Sequence, residues 1–264
     1  MVSVVSEQRE VQGSSGDRGT AWITGGGSGI GRCLALGLSR QGYRVVITGR
    51  NRQRLEAVAA EADAGTILPK AADVTRPEEL ARVVAQIETE CGGIDMAVLN
   101  AGDYTPMGLD EFDGELFRRM IEVNYLGVVN CLQVLLPSML ARQGGEILIT
   151  ASLSGYRGLP RAAPYGASKA ALISMAESLH PELKKKHVGL RLINPGFVRS
   201  NLTDKNDFTM PFLISAEQAA QEILKRLPGS GFEIAFPTVF ARILKLLRCL
   251  PYGLYFACMK RLGQ

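Results

Sequence analysis

A strand, a glycine-rich turn and a helix follow one another near the start of the chain, and that order restricts the fold more than any other stretch. Ala21-Trp-Ile23 is apolar, Thr24-Gly25-Gly26-Gly27-Ser28-Gly29-Ile30-Gly31 follows at once, and Leu34, Ala35 and Leu38 then recur at helical spacing. Glycines let a backbone approach a pyrophosphate seated on a helix N-terminus, so the strand before and the helix after are what give the glycine run its meaning. The spacing departs from G-x-G-x-x-G, because Ile30 and Arg32 stand where that pattern needs its last glycine. Further strands are expected at Tyr43–Thr48, near Ile67, at Met96–Leu99, Glu146–Ala151, Val188–Ile193 and Phe232–Phe236, with helical patterns between them. The alternation predicts a single doubly wound α/β domain over residues 19–237, a Rossmann fold with a seven-stranded parallel sheet.

The second informative stretch is Tyr165-Gly-Ala-Ser-Lys169, which places a phenol and an ammonium four residues apart on one helix face. The lysine charge there is expected to hold the phenol's pKa down and ready it for proton transfer. Ser152 stands 13 residues before Tyr165, at the end of the apolar run Glu146–Ala151, so a buried strand delivers its hydroxyl to a carboxyl end, where ligands bind. In these residues the chain resembles the short-chain dehydrogenase/reductase family, and the turn from Thr24 to Gly31 matches that family's Thr-Gly-x-x-x-Gly-x-Gly.

The resemblance covers about residues 20–236 and implies hydride transfer between a nicotinamide and a carbonyl or secondary alcohol. It implies that Tyr165 passes the proton, that Lys169 tunes it and holds the ribose, and that Ser152 binds the carbonyl oxygen. Asn124, an unfavourable residue in a helix expected over Leu116–Arg142, then helps hold a water against Lys169; as a plain structural residue it would be satisfied by neighbouring backbone. The cofactor would meet Thr24, Gly25, Ser28, Gly29, Ile30 and Gly31, then Asn100, Ala101 and Gly102, then Pro195, Gly196 and Val198, besides Tyr165 and Lys169. Leu99 replaces the first of two asparagines common at that strand end, and Ser200 replaces a threonine. Asp73 either hydrogen-bonds the adenine or serves the helix start before Pro77. Ser154, 11 residues before Tyr165, is the rival hydroxyl at a spacing that does not match.

Cofactor choice is read at the end of the second strand, where an acid would hold a ribose 2′-hydroxyl. The chain has Thr48-Gly49-Arg50 there and no carboxylate before Glu56, so Arg50 favours NADP(H) over NAD(H); its alternative is a solvated loop arginine beside Arg52 and Arg54.

Composition limits the other function classes. The net charge of +4 is concentrated, since residues 238–264 carry five basic side chains and no acid, leaving −1 for the rest and no balance for nucleic acid. Five scattered cysteines without a Cys-x-x-Cys argue for reduced thiols in the cytoplasm and against a zinc site; no metal is expected. His180 and His187 are expected at the surface. Residues 1–18 are polar, lack an apolar run and are expected to form a disordered tail, neither signal peptide nor anchor. Pro181 should kink or end the Tyr165 helix. Residues 238–264 are expected to form an amphipathic helical extension, with Arg242, Lys245 and Arg248 opposite an apolar face. Three roles are open to it: packing on the domain, folding over the substrate, or peripheral contact with an anionic membrane. The resemblance also implies a homodimer or homotetramer built on the two long helices. Two other classes stand beside the enzyme: an NADP(H)-binding sensor or scaffold without turnover, and a membrane-surface adaptor.

Overall fold

The computed structural model describes residues 18–200, 203–205 and 210–262; apart from Arg18, the expected N-terminal tail lies outside them. The elements are β1 Thr20–Thr24, α1 Gly29–Arg40, β2 Arg44–Gly49, α2 Arg52–Ala60, β3 Ile67–Ala71, α3 Pro77–Cys91, β4 Met96–Leu99, α4 Gly114–Ile121, α5 Gly127–Arg142, β5 Glu146–Thr150, α6 Ala163–Lys185, β6 Gly189–Pro195, α7 Ala216–Arg226, β7 Glu233–Phe236, α8 Thr238–Arg248 and α9 Tyr252–Leu262.

Seven strands pair in the order β3-β2-β1-β4-β5-β6-β7, all parallel. The order reverses between β1 and β4, and ligands of such sheets bind in the crevice at that switch, outside the carboxyl ends. Strands buried on both faces must be apolar throughout, which is why Trp22, Ile23, Val46, Ile47, Val98, Ile147 and Leu192 are all buried. One face packs on α1, α2 and α7 through Leu34, Leu38, Leu55 and Ile223. The other packs on α3, α5 and α6 through Leu80, Ile87, Leu132, Leu135 and Leu172.

Local rules decide the helix boundaries. Ser215 and Gln218 form a reciprocal capping box at the start of α7. Asn51 accepts from Arg54 N at the start of α2, and Gly92, in the left-handed region at φ 81°, ends α3. The long helix expected over Leu116–Arg142 begins at Gly114 and is broken by a π turn at Glu122–Leu126. By length and apolar composition this run could cross a membrane, but its apolar stripe from Val128 to Met139 is buried in the core.

One expectation is narrowed and one corrected. α6 does not end at Pro181 but continues to Lys185. Pro181 and Glu177 lie on the exposed side, where water can take the carbonyl that the missing N–H leaves unpaired, while Leu183 anchors the last turn in the core. The C-terminal extension is not one helix but two, divided at Cys249–Pro251, because Pro251 cannot continue α8. Both pack on the domain. Arg157 donates to Leu247 O (2.9 Å), Arg248 O (3.1 Å) and Leu250 O (2.6 Å) at the end of α8, and its guanidinium lies 3.9 Å from the centre of the Tyr255 ring. Tyr255 donates to Gly158 O, and Lys245 pairs with Glu233.

His180 also differs from expectation. Its Nδ1 lies 2.9 Å from Leu190 O and its ring meets Phe232 edge to face, so it fills a half-buried packing position. His187 ends the turn after α6 at φ 59°.

Candidate active site

Strand register brings the expected residues to one edge. Thr48, Thr24 and Leu99 pair in line across β2, β1 and β4, and Thr150 pairs with Ile193 across β5 and β6. Every loop that leaves these strands therefore opens on the same crevice.

The glycine loop is built to stay small. Gly25 sits at φ 70°, and a Cβ there would come within 2.9 Å of Ala101 Cα. Gly29 is also left-handed, at φ 53°. A Cβ on Gly31 would strike Gly25 O and Asn100. The loop thus lies tight against Asn100–Ala101 and leaves its outer side to a ligand. Ser28 takes the N-cap of α1 without a side-chain cap bond, and the first turn holds no acid. Uncapped N–H groups under a helix dipole suit an anion such as a pyrophosphate. Thr24 points the other way: its hydroxyl accepts from Asn100 N (3.0 Å) and Ala101 N (3.1 Å), tying β1 to β4.

Arg50 is exposed at the end of β2. Arg54 and Arg32 join Gly27 and Ser28 around a shallow cleft beside the loop, although Arg32 is paired with Glu61. Sequence reading passed over Arg54, whose only signal was a place one helical turn beyond Arg50. For Asp73 the structure records the turn role: its Oδ1 accepts from Thr75 N and Thr75 Oγ1, both at 2.9 Å, just before α3.

Ser152 follows β5 in extended backbone, buried, with its Oγ accepting from Ser154 N (3.1 Å) and 3.4 Å from Pro195 O. The rival Ser154 thus holds Ser152 through its backbone. Ser152 is the neighbour that favours the charged form of the Tyr165 phenol. Lys169 is buried, donates to Thr150 O (2.8 Å) and lies 5.7 Å from the centre of the Tyr165 ring.

Asn124 sits fully buried in the π turn, a feature often found at functional sites. It accepts from Asp103 N (2.7 Å) and donates to Asp103 O (3.0 Å) and Ser168 Oγ (3.0 Å), so it pins the loop after β4 to α6. A Cβ on Gly102 would lie 3.1 Å from Asn124 Oδ1 and 3.6 Å from Lys169 Nζ; Gly102 is where loop, asparagine and lysine converge.

Electrostatics depart from the simplest expectation. Burial is the largest influence on Tyr165 and pushes its phenol up to about 12, with the Ser152 bond acting in the opposite sense. Burial also brings the Lys169 ammonium down to about 8. Burial therefore sets both shifts: the phenol keeps its proton at neutral pH, and the ammonium is poised to lose one just above it.

On the far side, Pro195–Gly196 leaves β6 under Phe240, where a Cβ on Gly196 would meet Phe240 Cδ1 at 3.0 Å. Val198 is buried and pairs with Ile214. Ser200 Cβ lies 3.9 Å from the place a Cβ on Gly29 would take, so this exit reaches across to the glycine loop. Thr203, which sequence reading did not single out, accepts from Ser200 N (2.9 Å) and fixes that turn. Tyr104, 4.9 Å from Tyr165 centre to centre, and the stack of Phe197, Phe212 and Phe240 form apolar walls. No periodicity or motif marks those aromatic residues, because they meet only through the fold. Among the described residues no cluster of His, Cys, Asp or Glu could hold a metal ion.

Comparison with known proteins agrees with this architecture. A family model for short chain dehydrogenase matches residues 19–210. An uncharacterized oxidoreductase of Myxococcus xanthus (strain DK1622) is 37% identical over 245 residues, covering 92% of this chain and 97% of that protein. Among solved structures, a short chain dehydrogenase from Burkholderia cenocepacia in complex with NADP superposes with a TM-score of 0.79 at 26% identity, covering 91% of this chain and 96% of that one. An alcohol dehydrogenase from the archaeon Thermococcus sibiricus, complexed with 5-hydroxy-NADP, gives 0.75 at 27% identity over 84% and 97%. With a family match across most of its length and an extended relative above 30% identity, the chain belongs to the short-chain dehydrogenase/reductase family of oxidoreductases.

Proposed function

We propose that the chain is an NADP(H)-dependent reductase of an apolar carbonyl compound, working in the cytoplasm and running the reverse alcohol oxidation through the same residues. The observation that carries this reading is the convergence of Ser152, Tyr165 and Lys169 beside an uncapped, glycine-lined helix N-terminus. NADP in one similar structure and 5-hydroxy-NADP in another support a nicotinamide cofactor, and five free thiols support a reducing compartment.

Gly25, Ser28, Gly29, Ile30 and Gly31 would hold the pyrophosphate. Arg50, with Arg54 beside it, would hold the 2′-phosphate. Asn100, Ala101, Gly102, Pro195, Gly196, Val198 and Ser200 would line the rest of the cofactor's path, with Asp73 near the adenine end and Thr24 acting from behind. When bound, NADPH supplies the hydride that adds to the carbonyl carbon.

The protein's own part is the proton. Ser152 donates a hydrogen bond to the carbonyl oxygen and orients it toward Tyr165. As negative charge grows on that oxygen, the Tyr165 Oη–H bond breaks and the proton passes to it, leaving an alcohol and a phenolate. A positive Lys169 stabilises that phenolate and, by losing its own proton, can return one to it. Asn124 acts at one remove, holding the Asn100–Asp103 loop and α6 in register around Lys169. The aromatic walls from Tyr104, Phe197, Phe212 and Phe240 exclude water and favour an apolar substrate. We extend the reading to a homo-oligomer built on α4–α5 and α6, where Leu126 and Leu140 stand partly exposed; a single-chain mass in light scattering contradicts it.

Tyr165→Phe is expected to lower NADPH-dependent carbonyl reduction by roughly 10²–10⁴-fold while NADPH binding by fluorescence stays close to wild type. A variant that keeps most of its rate removes the phenol from the mechanism, and a wild type that binds NADPH yet turns over no carbonyl favours the sensor. Arg50→Asp is expected to weaken NADPH use by roughly tenfold or more and to narrow or reverse the preference over NADH, because a carboxylate repels the 2′-phosphate and accepts from a free ribose hydroxyl. Equal steady-state use of both cofactors by the wild type contradicts the assignment of Arg50.

A further inference from the structure

Of the eleven large apolar side chains that stand exposed among the described residues, six belong to α8 and α9: Val239, Ile243, Leu246, Tyr252, Leu254 and Phe256. Chance scatter would not place most of them on two eleven-residue helices at one end of the chain. α8 buries Ala241 and Leu244 against the domain, while Val239, Ile243 and Leu246 recur at helical spacing on the side turned away from it. A helix that is apolar on both sides has a second apolar neighbour to meet. α9 buries Tyr255 and Met259, with Tyr252 and Phe256 stacked on the adjoining side and exposed at 72% and 61%, and Leu254 exposed on the opposite side.

Charge says which neighbour. Residues 238–262 contain no acid, and Arg242 on α8 and Lys260 on α9 are exposed beside the apolar stripes. Lys245 is committed to Glu233 and does not contribute. The surface is also prefabricated, since Arg157 fastens the end of α8 and lies against Tyr255. A second copy docked face to face would oppose two basic surfaces with no acid of their own to pair, which disfavours self-association.

We propose that α8 and α9 form a docking surface for an anionic lipid bilayer, the apolar stripes entering the interface and Arg242 and Lys260 meeting lipid phosphates and carboxylates. Phe240, on the same helix, packs over Gly196 and stacks with Phe212, so docking brings the mouth of the active-site crevice to the lipid. This goes beyond the reductase reading and stands apart from it, because vesicle binding needs neither cofactor nor turnover.

The test is cosedimentation of the full chain with vesicles of phosphatidylcholine plus phosphatidylserine, and with phosphatidylcholine alone, at low and high salt. Leu246→Ser, Phe256→Ser and Arg242→Glu alter only exposed side chains, and circular dichroism checks that each folds. Binding to the anionic vesicles is expected, roughly tenfold weaker in Leu246→Ser, and weaker again in Arg242→Glu and at high salt. A folded wild type that stays in the supernatant overturns the proposal, as does binding indifferent to all three substitutions. Light scattering without vesicles separates the competing occupant: a lower mass in Leu246→Ser assigns the face to a second copy and overturns the lipid assignment.

Discussion

All seven strands run in one direction, and the position of every chemical group in the site follows from that constraint. A parallel sheet sends the loops after β1, β2, β4, β5 and β6 to the same edge, so a glycine turn, an exposed arginine, a serine and a Pro-Gly exit meet without being near in sequence. The helices that return the chain then carry Tyr165 and Lys169 back to that edge. Because both faces of the sheet are covered, the groups delivered there are largely shielded from water. Shielding is what shapes the chemistry.

The opposing influences on Tyr165 and Lys169 can be weighed. An ammonium near a phenol favours phenolate, but burial disfavours both charged forms, and burial is the first cause in each case. Burial thus leaves the phenol protonated at neutral pH and the lysine close to its own titration point. Such a state suits delivery of a proton to a carbonyl oxygen. Asn124 keeps the lysine where it can serve, since its amide joins the loop after β4 to Ser168 on α6. The two helices at the C-terminus link to the same edge by another route. Tyr156, Asn194 and Lys245 all donate to Glu233; burial works to raise that carboxyl, yet the three bonds together hold it below its ordinary value.

Sequence reading reached those parts of the molecule whose signal is local. The alternation of strand and helix patterns pointed to the seven-stranded parallel sheet, and the four-residue interval from Tyr165 to Lys169 placed both on one helix face. The strand ending at Ser152 was legible for the same reason. What escaped depends on contacts between distant segments. Pro181 passes inside α6 because its side of the helix is solvated, which propensity alone does not report. The π turn at Asn124 sets one buried amide against both Asp103 and Ser168, two residues far from it in sequence. Thr24 matched a motif, yet its hydroxyl is spent on β4. Tyr104, Phe197, Phe212 and Phe240 carry no pattern at all, and the basic tail read as one amphipathic helix although Pro251 makes it two.

The central claim is that a protonated Tyr165, supported by a buried and positive Lys169, gives the proton in carbonyl reduction. Lys169 has its pKa lowered, so it carries its charge below about 8 and loses it above. The most direct measurement is the pH dependence of the single-turnover rate of carbonyl reduction by the NADPH-loaded enzyme. The account predicts a rate that is level through the neutral range and falls as pH rises through the region near 8. A rate that stays unchanged or rises across that region would contradict it.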